Sequence, residues 1–331
     1  MKNNCKALKL RDLTGRSCAV ISTLLWLLGS IACTGDGVGS GTTDTGRANS
    51  GGDTAISTSL HFLSAYGNGS TIDLLELDGQ TGAVVELGEW PGIVGYNGSP
   101  IVIGSLFVTL GVVSPSDVDA PRLSSVNPYD LSTAQQPLLS DNRVGDFIDI
   151  EGVLYGVIGT GTAIELGHID MVNGQVTSVG TVADMAVYYP RAVYLGGTIY
   201  AQGESASDPG ATKLYSINPA APASAVSAAL TVPFDALYGV DGELIGMRGD
   251  GTVIELYTLT PSTGAEVAMG VVPDMYQIYA PNYGALNDHL YLLGSQSAGA
   301  ATRLYNIPIH DIASTHSIPL DRDPADLHIY P

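Results

Sequence analysis

From about residue 56 onward, apolar residues come in short runs broken by Gly, Asn, Asp and Pro, and no run has the three- and four-residue spacing of an amphipathic helix. Such punctuation predicts an all-β domain. One phrase recurs along it: LLELDGQTG from Leu74, KLYSINP from Lys213, IELYTLTPSTG from Ile254 and RLYNIP from Arg303. The last apolar residue of that phrase falls at Leu77, Val126, Ile169, Ile217, Leu259 and Ile307, in steps of 49, 43, 48, 42 and 48. A second apolar anchor, at Leu60, Leu106, Leu154, Ile199, Leu244 and Leu290, steps by 46, 48, 45, 45 and 46.

Six units of about 46 residues predict an array in which each unit buries its faces against its neighbours, and the period matches the four-stranded blades of a six-bladed β-propeller. In the fifth unit DALYGV reads as strand A beside the axis, ELIGM as strand B, IELYTL as strand C and EVAMGVV as the outer strand D. Asp241-Gly242, Glu151-Gly152, Gly196-Gly197 and Asn287-Asp288 fall at the A-to-B turn, where a two-residue hairpin requires positive φ. The first unit has little strand A material before Leu60, while DLHIYP at 326–331 has no unit after it. That segment is expected to supply the first blade's inner strand and close the ring. The pattern LYxIDxxTG resembles the kelch, NHL-like and quinoprotein-like repeats of bacterial propeller proteins over residues 56–331. That resemblance implies fold rather than function.

Pairs of blades repeat more faithfully than single blades, since equivalent phrase positions two units apart are separated by 92, 91, 90 and 90 residues. Four residues before each phrase anchor stand Asp73, Arg122, Glu165, Lys213, Glu255 and Arg303, acid and base by turns. Ion pairs or an alternating rim that fixes blade register is the expected role. Even blades also carry the longer B-to-C and D-to-A connections, which emerge on one face of a propeller. They bring Tyr96, Tyr189 and Tyr279 to corresponding places, with Asp184 and Asp274 beside them. The expectation is a threefold crown of tyrosines that binds a protein, peptide or glycan, or else plugs the channel.

The first 32 residues read as an export signal: Lys2, Lys6, Lys9, Arg11 and Arg16 precede the apolar stretch CAVISTLLWLLGSIA. Its end, GSIAC, resembles the lipobox of bacterial lipoproteins, which implies lipidation of Cys33 and, with Thr34 following, residence in the outer membrane of a Gram-negative cell. Cys33 is the one cysteine past the signal, so no internal disulfide forms. The alternative is an ordinary signal cleaved nearby, with Cys33 an incidental thiol. Residues 34–55 are Gly, Ser, Thr and Asp with almost nothing apolar, a tether from the lipidated cysteine to the domain that spans roughly 25 Å.

Of the 13 basic and 33 acidic residues, five and one lie in the signal, leaving 8 against 32 and a balance of −24. Nucleic acid and anionic lipid are disfavoured partners. No metalloprotease, nucleophile-elbow or phosphate-loop motif occurs, no catalytic residue is assigned, and the six histidines lack metal-ligand spacing. With Trp90 the one tryptophan outside the signal, a tryptophan-sandwiched quinone is not expected, and no cofactor is assigned. Asp146, Asp235 and Asp326 recur 89 and 91 residues apart at the starts of odd strands A. They are candidate axial ligands for Ca²⁺, as in six-bladed lactonases, or caps on backbone N–H groups at each strand entrance. A binding module of the envelope is therefore the leading expectation, with a metal-dependent hydrolase or lactonase and a scaffold subunit of an envelope assembly as alternatives.

Overall fold

The computed structural model describes residues 60–67, 70–114, 122–279, 283–322, 324 and 327–329. The signal, Cys33, the tether and Asp326 lie outside the described residues.

Six antiparallel sheets form a ring of blades. The first holds β1 (His61–Gly67), β2 (Ile72–Asp78) and β3 (Val84–Glu89); the second holds β4 (Gly95–Ile103), β5 (Leu106–Val112), β6 (Arg122–Asn127) and β7 (Asp130–Gln135). In the third are β8 (Val144–Ile150), β9 (Val153–Gly159), β10 (Ile164–Ile169) and β11 (Val176–Thr181), and in the fourth β12 (Met185–Leu195), β13 (Thr198–Ser205), β14 (Thr212–Ile217) and β15 (Val226–Ala229). The fifth has β16 (Ala236–Val240), β17 (Glu243–Gly249), β18 (Ile254–Thr260) and β19 (Ala265–Val271). In the sixth the inner strand is split into β20 (Gln277–Ile278) and β21 (Gly284–Leu286), followed by β22 (His289–Ser295), β23 (Arg303–Pro308) and β24 (His316–Pro319). The expected closure is observed: β25 (His328–Ile329) pairs with β1 through Phe62↔Ile329 and Leu63↔His328, as the inner strand of the first blade.

Strand residues alternate between two faces, and here each face meets a neighbouring blade, which is why runs such as Leu106–Val112 are buried on both faces. The core accordingly consists of six apolar clusters, each drawn from two adjacent blades, one per seam. Burying one such Leu, Ile or Phe side chain contributes about 1.5–3 kcal/mol. The ring is therefore held mainly by packing across the seams. Residues opposite the phrase anchors are Phe62 and Phe107 in the first two blades, so the Leu60 and Leu106 anchors fall two and one residues early. At the A-to-B turns Glu151 and Asp241 stand at φ 55° and 49°, each followed by a glycine at about the same sign and larger angle (83° and 79°), as type I′ hairpins require.

The two-blade period is built into the backbone. Odd blades carry a register shift in the C–D pairing, at Leu74/Leu75, Leu166/Gly167 and Leu256/Tyr257. Even blades interrupt strand A, between Asn97 and Ile101, between Tyr189 and Val193, and between β20 and β21, and the second blade also shifts in its C–D pairing between Ser125 and Asn127. Strand B permits the detour: a Cβ on Gly203 would lie 2.1 Å from the Val187 carbonyl oxygen, and one on Gly294 would lie 2.5 Å from that of Gln277. Only glycine lets strand A approach so closely.

Candidate functional site

The even-blade connections start from equivalent turns. The N–H groups of Trp90, Val182 and Val272 donate to Ile72, Ile164 and Ile254 at 2.7–2.8 Å, and two residues later Gly92, Asp184 and Asp274 adopt left-handed φ values of 75°, 57° and 55°. The carbonyls of Asp184 and Asp274 accept the Tyr215 and Tyr305 hydroxyls at 2.9 and 2.6 Å. Asp184 and Asp274 thus share a turn-forming role, with Gly92 as a third member that the sequence pattern did not reveal.

Their carboxylates differ. That of Asp184 accepts from Ser205 Oγ at 2.7 Å, the Ser207 N–H at 2.8 Å and Lys213 Nζ at 2.8 Å. The Lys213 hydrogen bond first, then that of Ser205, hold its pKa well below the usual carboxylate range. Lys213 Nζ also lies 2.9 Å from Ser205 Oγ, a serine–lysine proximity. The ammonium is engaged in an ion pair with the Asp184 carboxylate, and Ser205 is only 1% exposed, so no accessible nucleophile results. The Asp274 side chain is exposed.

The three crown tyrosines are not equivalent. Tyr189 pairs with Gln202, and the Tyr279 N–H donates to Leu293, each one residue past the pairs Tyr188↔Gly203 and Ile278↔Gly294. Tyr96 instead pairs with Gly111, the counterpart of Gly203, and so shares the register of Tyr188 and Ile278. A one-residue offset turns a side chain to the opposite strand face. Tyr96, Tyr188 and Ile278 accordingly pack against the seams between blades 1 and 2, 3 and 4, and 5 and 6. The threefold crown reduces to Tyr189 and Tyr279, both half-buried, whose hydroxyls donate to Glu204 Oε1 at 2.9 Å and the Ala300 carbonyl at 3.2 Å.

Nor do the proposed axial aspartates share a register. Asp146 opposes Val157, whereas Ala236 opposes the equivalent Met247, which leaves Asp235 one residue earlier in strand A; a shift between Val144 and Asp146 accounts for the difference. Asp146 is 5% exposed and turned into the seam with blade 4. There it accepts from Tyr188 Oη at 2.5 Å, the Arg191 N–H at 2.9 Å and its neighbour Phe147 N–H at 3.0 Å. Burial raises its pKa against the lowering effect of those bonds, and burial likewise pushes the pKa of Tyr188 well above that of the ordinary phenol. Asp235 is exposed and accepts the Gly249 N–H at 2.7 Å. Both carboxylates therefore act as backbone caps, Asp146 across a seam and Asp235 within its blade. Among the described residues no group of three His, Cys, Asp or Glu side chains is placed to hold a metal ion.

The Asp146–Tyr188 pair was missed because its members lie 42 residues apart in different units. Its one sequence signal is YYPR, where Arg191 adopts φ 89°, a left-handed backbone unusual for a residue with a side chain. The alternating charges work inside their own blades: Lys213 on Asp184, Arg303 on Ser317 Oγ at 2.8 Å, Arg122 on the Gln136 carbonyl at 3.2 Å, and Glu255 accepting Tyr257 at 2.6 Å. They join strand C to its neighbours rather than blade to blade.

No protein-family model and no curated protein matches the chain. Similar solved structures include one from a nidogen/laminin complex, at 12% identity with a TM-score of 0.52, covering 81% of this chain and 97% of that one. A putative 6-phosphogluconolactonase from Bacteroides fragilis gives 12% and 0.50, covering 85% and 100%. TolB from Acinetobacter baumannii gives 11% and 0.51, covering 81% of this chain and 65% of that one. At such identities the likeness is one of fold, the β-propeller.

Proposed function

We propose that this chain is a binding module of the cell envelope, anchored through Cys33, which presents the even-blade loop face to a protein, peptide or glycan. A propeller fits a binding role. The observation that carries the choice of face is the recurrence, in blades 4 and 6, of one interrupted inner strand with a half-buried tyrosine at the same register, Tyr189 and Tyr279. A tyrosine held by its hydroxyl offers a ring of fixed orientation, and such rings bind flat sugar faces and peptide side chains at small entropic cost. Glu204, which anchors Tyr189, and the exposed Asp274 set acidic groups beside them.

The test screens the soluble domain against a glycan array and a displayed random-peptide library, then repeats the screen with Tyr189→Ala plus Tyr279→Ala. Binders are expected to lose at least tenfold in affinity with the double variant and nothing with Val85→Ala on the rim, where that side chain is 57% exposed. Binders indifferent to both tyrosines would overturn the face. The anchor is tested apart from it: metabolic palmitate labelling should be lost in Cys33→Ser, and retained label would refute that assignment.

A further inference from the structure

The three seams in which an odd blade meets the following even blade repeat the same positions with different residues. Strand pairing aligns Thr109↔Ser124 with Ala201↔Tyr215 and Leu292↔Tyr305. It also aligns His328, opposite Leu63, with Ile148 opposite Tyr155 and Tyr238 opposite Ile245. The connection supplies Trp90 where the other two have Val182 and Val272. In the seam between blades 1 and 2, bulk has moved from strand C to the connection, with Trp–Ser in place of Val–Tyr.

The exchange preserves volume but not hydrogen bonding. Tyr215 and Tyr305 donate to turn carbonyls. Trp90 Nε1, Thr109 Oγ1, Ser124 Oγ and His328 Nε2 are buried without a hydrogen-bond partner. Among the described residues, the corresponding positions of the other two seams hold no such atom. Phe107 lies between, its ring 5.4 Å from Trp90 and 5.1 Å from His328. A buried polar group without a partner opposes burial, so these four weaken the seam between blades 1 and 2.

The strand that completes blade 1 is β25, whose described residues pair with β1 at Phe62↔Ile329 and Leu63↔His328. Its apolar anchor is Leu327, fully buried in the cluster that links blades 6 and 1 beside Tyr291, Leu293 and Leu304.

We propose that β25 detaches reversibly from β1, unfastening blade 1 from blade 6, and that the vacated edge of β1 binds an extended peptide strand. The ligand it fits has an apolar residue at the position of Leu327 and, next to it, a polar side chain that gives the stranded donors and acceptors of Trp90, Thr109 and Ser124 a partner. Glutamine carries both kinds of group. A strand with glutamine in the place of His328 therefore binds more tightly than the resident sequence.

Two measurements on the intact protein test this. Hydrogen exchange should show the amides of β25 and Leu63 opening at least tenfold more readily than those of β17 and β18, with His328→Phe narrowing the gap. Fluorescein-labelled PADLHIYP, the sequence of residues 324–331, should be captured saturably in an anisotropy titration, PADLQIYP more tightly, and PADDHIYP not at all. Exchange of β25 only with global unfolding would overturn the opening. Absent capture, or equal capture of the Asp-substituted peptide, would overturn the strand site. Tyr189→Ala plus Tyr279→Ala should leave both results unchanged, which separates this site from the loop face.

Discussion

Exchanging the Asp146–Tyr188 pair for the residues that occupy the same register between blades 5 and 6 gives a quantitative test of how the seams are sealed. There, Ala236 and Ile278 stand where Asp146 and Tyr188 stand between blades 3 and 4. Asp146→Ala alone leaves the Tyr188 O–H proton without its acceptor, while its oxygen still accepts from the Arg191 and Ala192 N–H groups, and removes one of the two acceptors that hold the Arg191 N–H in its left-handed bend. At about 1–3 kcal/mol per stranded buried donor, less the desolvation that the absent carboxylate no longer suffers, the expected loss is about 3 kcal/mol. Tyr188→Ile alone leaves a buried carboxylate short of its closest donor and should cost about the same. The double variant removes both ends of the contact, so its loss should fall about 2 kcal/mol short of the sum, within the range for residues in one network. Urea denaturation of the four proteins measures that coupling. In thermal melts each single variant should fall by about 6–12 °C at about 2–4 °C per kcal/mol for a domain of this size. Strict additivity would mean that the pair does not act as a unit and would refute the account of Asp146 as a cap across the seam.

Lys213→Met should flatten the acid limb of the stability profile. Because Lys213 and Ser205 depress Asp184 below its ordinary value of 3.8, the folded state binds that proton less readily than the unfolded chain. The stabilisation is present above that value and is lost as pH falls through the depressed one, so melts in citrate between neutral pH and pH about 3 should lose this component in the variant; an unchanged slope would sink the assignment. Gly203→Ala places a methyl group 2.1 Å from the Val187 oxygen and should destabilise the fold by about 1–3 kcal/mol. Gly145→Ala, which meets nothing within 4 Å, serves as its comparison. Equal effects at the two glycines would argue against close approach as the reason for Gly203.

Periodicity carried most of the fold in the sequence, because a seam-packed blade makes both faces of its inner strands mostly apolar and spaces the units evenly. It even exposed the returning strand, since DLHIYP had no unit of its own. Register was harder to read. Bulges at Gly145 and in the even strands A add residues without changing the apolar pattern, so Asp146 and Asp235, and likewise Tyr96 and Tyr189, looked equivalent when strand pairing sets them one place apart. A counting error of one is invisible in repeat spacing and decisive for where a side chain points. Contacts such as Tyr188 on Asp146 or Gln202 with Phe234, whose N–H meets the Gln202 Oε1 at 2.9 Å, join residues from different units and leave no local signature.

The return of β25 to β1 also sets the timetable of folding. Phe62 and Ile329 are partners across nearly the whole length of the described domain, so the first blade is the last to be finished. Blades 2 to 6 need only contacts made locally or with the next unit, and they can assemble in order as chain becomes available. Ring closure must wait for the most distant contact in the sequence, the kind that slows folding because loop entropy is lost before any packing compensates. Until then β1 keeps a free edge, and a nascent chain remains an open arc of blades, extensible and exposed to capture by chaperones, rather than a finished ring.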